Sequence, residues 1–403
     1  MRIQLWSYNY DPEPLGIGPV STIWAQAMTS RGHDVEVVAA HPHYPTPEWG
    51  TSLRPYREIR EGIPVIRLPL VIGRGSRSRR LLQEVSFMVS QGLASPFLGG
   101  TDAIVSVSPS FPALLPALLA SRARNTAWYL WLQDILPEGA ATTGYLDRRN
   151  PIFRASRGLE RRAYAGASGI VVLSDSFREN LLSKGVADRK ISIAYNPATF
   201  EVANLYLTGA ASGDPPRIIC MGNIGRSQGL PEIVRNFEAD PELARRGVRL
   251  TITGAGVAEG EVRSAIRTDR VEMTGLLSAA ELQRELSRSS LAIVTQAYDE
   301  QEFNVPSKLM NYLAAGLPVV GSVRQSSEAA RIIELSRSGW VTDPERFAAS
   351  VGAALDDEEE RRARSRNGFE WAGAHLTPES LADRFEAVML GESRDRRPVG
   401  ETV

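Results

Sequence analysis

Lysine is nearly absent from this chain. Of the 46 Lys+Arg in 403 residues, only Lys184, Lys190 and Lys308 are lysine, so wherever one stands the default cation was not taken. Charge of either sign in excess is missing too: 47 Asp+Glu leave a net charge of −1, which argues against a nucleic-acid binder, since that class carries a basic surplus. One cysteine, Cys220, forbids an internal disulfide and fits a reducing compartment, so a cytoplasmic protein is expected. Met1 runs straight into RIQLWSYNY without a basic start or long apolar stretch, so no signal peptide is expected. No run reaches the roughly 18 uncharged apolar residues of a spanning helix. Histidine is sparse (His33, His41, His43, His375), and HExxH, CxxC and GxSxG are all missing, which leaves zinc sites and hydrolytic triads without support. HPHYP (41–45) offers two imidazoles, but no carboxylate or cysteine stands at ligand spacing, so no metal is expected.

What is present is an alternation of short apolar runs and helix-period segments. RIQLWSY (2–8), DVEVVAA (34–40), PVIRLPLVI (64–72), DAIVSVSP (102–109), AWYLWLQD (127–134), GIVVLSD (169–175) and ISIAYNP (191–197) have the unbroken hydrophobicity of parallel strands covered on both faces. Helix patterns lie between them at 20–32, 111–124 and 177–185, the last with Asp175 and Ser176 where an N-cap is wanted. The rhythm pauses at 196–216, rich in turn formers, and restarts with strands at 217–224, 248–256, 271–275 and 291–297 and helices at 230–240 and 278–290. DDEEERRARSR (356–366) spaces Asp357–Arg361 and Glu358–Arg362 at i,i+4, the mark of a solvated helix face. The alternation, occurring twice, predicts an α/β protein of two Rossmann-like doubly wound domains with ligands in an interdomain cleft, outside the strand carboxyl ends. The expected division is 1–197, a linker at 198–216, 217–375, a returning C-terminal helix at 376–390, and a disordered tail at 391–403.

Four strand-end loops carry the chemistry. DPEPLGIGPV (11–20) places Gly16 and Gly18 before a helix whose N-terminal amides can meet an anion, although a plain glycine turn fits as well. GNIGRSQG (222–229) lets the backbone wrap closely through Gly222, Gly225 and Gly229 and adds the permanent charge of Arg226, suited to phosphate oxygens. NVPSKLMNYLAAGLPVV (304–320) opens a helix at Pro306 and puts Lys308 in its first turn. The helix dipole disfavours a cation there unless an anion joins it, so this lysine predicts a bound phosphate. WLQDILPEG (131–139) brings Asp134 and Glu138 to a strand end, where a carboxylate can orient a hydroxyl or cap the next helix. Two cations and two glycine loops together point to a diphosphate.

In this order GNIGRSQGL, TGAG, VEMTGLLS and NVPSKLMNYLAAGLPVV resemble the carboxyl-terminal domain of family 4 glycosyltransferases with the GT-B fold. The likeness is to the colanic-acid and O-antigen branch; SYNYDPEPLGIG, RGHDVEVVAAHPHYP and WLQDILPE extend it over roughly residues 1–390. It implies a retaining, metal-independent transferase that uses a nucleotide sugar, with UDP favoured, as co-substrate without any further cofactor. The acceptor is then lipid-linked or a small molecule. By the same likeness Arg226 and Lys308 hold the donor diphosphate, with Asp134 as the third catalytic candidate. Gly16 and Gly18 face the reacting centre, and Leu276 and Leu277 pack near the nucleobase. Gly222, Asn223, Gly225, Glu302, Asn304 and Asn311 complete the expected donor site. The wider family's Glu-x7-Glu pair falls on Phe303 and Asn311, so both glutamates are absent at the aligned positions. Asn311 also occurs in this branch and can bond a ribose hydroxyl, and Glu302 or Glu300 stands near the first position. A UDP-sugar epimerase and a non-catalytic partner subunit of the same fold are the rival readings. The missing glutamates favour the second, and the sparse histidines count against the first.

Residues 73–98 begin with Arg74, Arg77, Arg79 and Arg80, and apolar residues follow, with Val85, Met88 and Gln91 on one helical stripe. This is either a core helix entered through a basic turn or an interfacial helix giving peripheral contact with an anionic membrane face.

Overall fold

The computed structural model describes residues 1–14, 16–43, 53–73, 77–108, 110–134, 151–199, 215–297 and 305–391. Glu138, Glu300, Glu302, Phe303, Asn304, most of the expected linker and the tail from 392 lie outside them. The chain divides into two units, Met1–Pro197 with Pro378–Val403, and Ala198–Thr377.

In the first unit eight strands form one sheet: β1 (Arg2–Ser7), β2 (Asp34–Ala40), β3 (Tyr56–Arg60), β4 (Ile63–Leu68), β5 (Ala103–Val107), β6 (Ala127–Leu132), β7 (Gly169–Val172) and β8 (Ile191–Ile193). Their order is β3-β4-β2-β1-β5-β6-β7-β8, parallel except for the β3–β4 pair. Strand β3, YREIR, is absent from the sequence expectation. It is an edge strand whose charged residues look like a loop, which is how edges are kept from pairing with other chains. The helices are α1 (Gly18–Ser30), α2 (Arg77–Ala94), α3 (Leu114–Arg124), α4 (Pro151–Gly166) and α5 (Asp175–Ser183). Helix α5 is capped by Ser174, whose hydroxyl accepts from Phe177 N at 3.3 Å, and not by Asp175 or Ser176, which fall inside the first turn.

Helix α2 is unevenly buried. Phe87 and Gln91 face inward, Val85 and Met88 are half-buried, and Leu82, Val89 and Leu93 are exposed. At about 100° per residue those three fall within roughly 40° of one another. The exposed stripe of α2 is therefore Leu82–Val89–Leu93, while Val85, Met88 and Gln91 lie on its more buried side.

The second unit is a six-stranded parallel sheet of β9 (Arg217–Met221), β10 (Arg249–Thr253), β11 (Val271–Gly275), β12 (Leu291–Thr295), β13 (Val319–Ser322) and β14 (Gly339–Thr342). Its order, β11-β10-β9-β12-β13-β14, reverses direction between β9 and β12, and ligands in such sheets sit in the crevice outside the strand ends at that point. Its helices are α6 (Leu230–Ala239), α7 (Pro241–Arg245), α8 (Glu259–Ala265), α9 (Ala279–Arg288), α10 (Ser307–Ala314), α11 (Glu328–Leu335), α12 (Phe347–Asp356) and α13 (Glu358–His375). Ile218, Phe237, Leu250, Ile293, Phe347 and Val351 belong to one continuous core. On α13 the Glu358–Arg362 pair forms at 2.5 Å, but Arg361 is not on a solvated face. It is buried and donates to the last carbonyls of α12, Ala354 O and Leu355 O, while Asp357 caps α13 by accepting from Glu360 N.

The last helix, α14 (Pro378–Leu390), packs on the first unit. Phe385, fully buried, meets Trp24 and Trp131 edge-on at ring separations of 5.2 and 5.1 Å. Around that wedge Arg31 Nη1 contacts Asp383 and Glu386 at 2.6 Å each, and His33 Nε2 lies 2.9 Å from Glu386. Burial alone would raise the Glu386 carboxyl; hydrogen bonds from His33 and Arg31, with their charges, outweigh it and hold the pKa below its ordinary value. A carboxylate lowered in the fold stabilises above its unfolded pKa, and that contribution fades as pH falls through the folded one. We expect Phe385→Ala to destabilise the first unit by roughly 3–5 kcal/mol, followed by tryptophan fluorescence in urea. Glu386→Gln should remove an acid-sensitive part of its stability. An unchanged urea midpoint, or an unaltered acid limb, would mean that α14 does not hold this unit together.

Candidate active site

In the second unit two glycine loops and one lysine converge at the β9 end. The loop after β9 begins at Gly222, in the left-handed region at φ +102°, with its amide bonded to Thr253 O at 2.9 Å. It runs directly against the TGAG loop after β10: a Cβ on Gly254 would stand 1.8 Å from Gly222 O, and one on Gly256 would stand 2.3 Å from Ile224 O. Only glycine permits this backbone-on-backbone contact. The turn Arg226–Gln228 ends at Gly229 (φ +63°), which abuts Ala297 beyond β12, and Ala297 N donates to Ser227 O at 2.8 Å. Asn223 lies within the loop, its amide nitrogen 3.0 Å from where a Cβ on Gly225 would stand.

Lys308 enters from α10, with Pro306 as the N-cap. Its stem passes over Gly222, whose added Cβ would meet Lys308 Cε at 3.7 Å. The residue is 7% exposed; Nζ donates to Gln228 Oε1 at 2.9 Å and lies 3.9 Å from Cys220 Sγ. Among the described residues no carboxylate pairs with it. Tyr312, a turn further along α10, accepts from Met221 N at 2.7 Å and fixes the helix to the β9 end; burial holds its phenol well above the ordinary pKa.

Other expected residues are placed differently. Arg226 is exposed and bonded to Glu261, Nε to Oε1 at 3.0 Å, turned outward in that pair. Asn311 is buried, its amide oxygen accepting from Thr199 N at 2.9 Å, so it anchors the start of the unit. Leu276 is 76% exposed and Leu277 half-buried, just past Gly275, whose carbonyl accepts from Gly254 N at 2.8 Å. Glu302 and Asn304 lie outside the described residues.

In the first unit Gly16 takes φ +69° with open space around it, and Gly18 begins α1 where a Cβ would stand 2.7 Å from Glu13 O. Glu13, missed in the sequence, organises this loop. Its buried carboxylate accepts from Asn9 Nδ2 at 2.7 Å and His43 N at 2.6 Å and faces His43 Nδ1 at 3.3 Å. Asp11 is held from the other side: Arg60 Nε reaches its carboxylate at 2.5 Å, and the fully buried Arg67 donates to its carbonyl and, at 2.7 Å, to Glu58. Asp134 lies two residues beyond β6 with its amide directed at Ser108 Oγ, 3.3 Å away. The residue keeps solvent access, yet the protein around its carboxyl disfavours the charge and pushes the pKa up to about 6. Burial moves Glu84 on α2 to about 7. Among the described residues no three His, Cys, Asp or Glu side chains form a metal-holding group. His43 meets the Tyr8 ring at 4.8 Å and His41 meets Tyr56 at 5.0 Å.

The chain is similar to known proteins. A family model described as a glycosyl transferase 4-like domain matches residues 16–197, and one described as glycosyl transferases group 1 matches residues 215–357. WcaI of Escherichia coli (strain K12), named as a colanic acid biosynthesis glycosyl transferase, is 25% identical over 358 residues, 83% of this chain and 86% of that protein. WbjE of Pseudomonas aeruginosa, named as a glycosyltransferase, is 25% identical over 270 residues, 64% of this chain and 66% of that one. In structure, Anabaena HepE in complex with UDP superposes with a TM-score of 0.67 at 14% identity, covering 97% of this chain and 100% of HepE. With two doubly wound units and these matches along its length, the chain belongs to the family 4 glycosyltransferases of GT-B fold, in the colanic-acid and O-antigen branch.

Proposed function

We propose that this glycosyltransferase moves a sugar, with retention of configuration and without a bound metal, from a UDP-linked donor to an acceptor hydroxyl in polysaccharide or glycolipid assembly. The observation that carries the reading is the Lys308 ammonium, buried at the switch point of the second sheet with a neutral amide as partner. Burying an unpaired cation is costly, and an anion at this spot removes the penalty. As the sugar bond breaks, charge grows on the diphosphate oxygens, where Lys308 stabilises it in place of a metal. Arg226 joins by leaving Glu261, an exposed pair of the kind worth about 0–1 kcal/mol. The leaving phosphate oxygen takes the acceptor proton. Exposed Leu276 offers an apolar surface to a base. UDP is favoured by HepE, solved with UDP and with UDP-glucose, and polysaccharide assembly by the name of WcaI.

Among nucleoside diphosphates UDP should raise the melting temperature most; at a hundred times its Kd the gain is about 2.7 kcal/mol. Lys308→Ala should lower turnover by about 10²-fold or more with the fold intact, and Arg226→Ala should act similarly. EDTA should change little. Wild-type rates in both variants, or EDTA inactivation reversed by Mn²⁺, would overturn the reading.

Asp134 supplies a pH signature as the group that orients the acceptor hydroxyl. An ionised carboxylate accepts the hydroxyl's hydrogen bond more strongly than the neutral acid, so kcat/KM should climb with an apparent pKa of about 6. Asp134→Asn should flatten that limb, whereas Glu84→Gln should leave it. A carboxyl whose pKa is raised in the fold loses stability as pH climbs from its unfolded to its folded value, so Asp134→Asn should also stabilise the protein above that range. A rising limb that survives in Asp134→Asn would remove Asp134 from this role.

The acceptor side includes a membrane contact. Among the described residues no helix is long and apolar enough to cross a bilayer. Helix α2 instead shows Leu82, Val89 and Leu93 in line, with Phe97 84% exposed just beyond and Arg79 and Arg80 exposed at its start. Aliphatic residues meeting the acyl boundary beside arginines on head groups describe an interfacial helix, each arginine adding about 1 kcal/mol. Salt-sensitive sedimentation with phosphatidylglycerol vesicles is expected, lost on changing Arg74, Arg77, Arg79 and Arg80 to glutamine or Leu82, Val89 and Leu93 to glutamine. Protein left in the supernatant at low salt would favour a soluble acceptor.

A further inference from the structure

The three lysines of the chain are held in three different ways. Lys184 Nζ meets the Glu160 carboxylate at 2.6 Å. Lys190 Nζ donates to Ala165 O and Ala167 O at the carboxyl end of α4, at 3.0 and 2.8 Å, where the helix dipole favours a cation. Lys308 has neither a carboxylate among the described residues nor a helix carboxyl end; its hydrogen-bond acceptor within 3 Å is Gln228 Oε1.

An ammonium group only donates, so the Gln228 atom 2.9 Å from it is the amide oxygen, and the NH2 end must point elsewhere. That assignment follows from the chemistry of the pair. A carboxylate at the same place would orient the ammonium equally well but would cancel its charge. The carboxamide orients it and leaves the charge whole. Gln228 is itself fixed: Gln228 N donates to Gly225 O at 3.1 Å, Gly229 N to Arg226 O at 3.2 Å, and the preceding carbonyl, Ser227 O, accepts from Ala297 N at 2.8 Å. The side chain thus rises from a turn stapled between the β9 and β12 ends, beside the sheet's switch point.

We propose that Gln228 is a positioning residue that holds the Lys308 ammonium uncancelled over the Gly222 loop, and that its amide NH2 then donates to the same diphosphate. This rests on the donor reading above and extends it from a pair of cations to a cation with a neutral partner. The partner costs no charge and supplies donors where the leaving group's oxygens become more negative, so its effect on rate exceeds its effect on ground-state binding.

The discriminating variant is Gln228→Glu, the same shape with a charge added. The free protein should melt at the same or a higher temperature, because a buried Lys–Glu pair replaces a lone cation. Affinity for the nucleoside diphosphate that stabilises the wild type should drop by at least about tenfold, by calorimetry, while affinity for the corresponding nucleoside, which lacks phosphates, stays unchanged. Gln228→Met, which removes both acceptor and donors without adding charge, should lower kcat more than it changes the donor KM. If the wild-type protein binds no nucleoside diphosphate, the donor reading itself fails. If it binds one and Gln228→Glu binds it as tightly, the reading of Lys308 stands and the role of Gln228 falls. Equal losses for nucleoside and diphosphate would also sink it, as they would indicate a disturbed loop and not a cancelled charge.

Discussion

A buried ammonium with no counter-charge among the described residues is the constraint around which the second unit is arranged. Taking a cation out of water costs several kcal/mol unless something answers its field. Here the answer within the described residues is a carboxamide oxygen and a nearby thiol, which orient the group without neutralising it. The surrounding features follow from keeping that group in place. Gly222 takes the left-handed φ of +102° that favours glycine, and the lysine stem packs beside it. The Tyr312 hydroxyl ties α10 to the β9 end, so the lysine cannot drift from the sheet. Gly254 and Gly256 let the neighbouring loop press backbone to backbone, fixing the floor beneath it. Preorganisation of this sort lets electrostatics act on a leaving group without rearrangement during the reaction.

The two units solve the same problem, a loop held rigid at a strand end, by different physical means. The second relies on close backbone approach through glycine. The first relies on buried charge: Glu13 gathers Asn9 and His43, and Arg67 grips the Asp11 carbonyl from within the core. Arg67 is fully buried and Glu13 nearly so, which is tolerable only because their hydrogen-bonding groups are answered by Glu58, Ala40 O and Asp11 O in one case and by Asn9 and His43 in the other. Such a network is stiff and intolerant, since removing one member leaves the others buried without partners.

This difference explains what could be read from the sequence. Parallel strands covered on both faces announce themselves as apolar runs, and glycine loops are local, so the doubly wound architecture, the loop at 222–229 and Lys308 were all legible. Strand β3 was not, because an edge strand wears charge; nor was β14, four residues long and only partly apolar. The cap on α5 slipped by one residue, from Asp175 to Ser174, because three adjacent residues, SDS, all qualify chemically. Arg361 looked solvated because periodicity cannot see that the preceding helix ends beneath it. The Glu13–His43 contact spans 30 positions, Arg67–Asp11 spans 56 and Lys308–Gln228 spans 80, so no local pattern carries them. Asn311 carries a contact that family likeness does not announce: its amide oxygen accepts from Thr199 N, 112 positions away.

The rarity of lysine in this chain now has a physical reading at Lys308, which is buried and has no carboxylate partner among the described residues. A guanidinium presents five N–H donors in a rigid plane, and each one buried needs an acceptor. Arg67 and Arg361 meet that demand by collecting carboxylate and carbonyl oxygens. Among the described residues the acceptors near the ammonium are one amide oxygen and a thiol, too few for an arginine but adequate for an ammonium that keeps a donor in reserve. In a chain that places arginine at most of its cationic positions, arginine here would have to be satisfied by the protein, whereas lysine can leave part of its hydrogen bonding to what it binds.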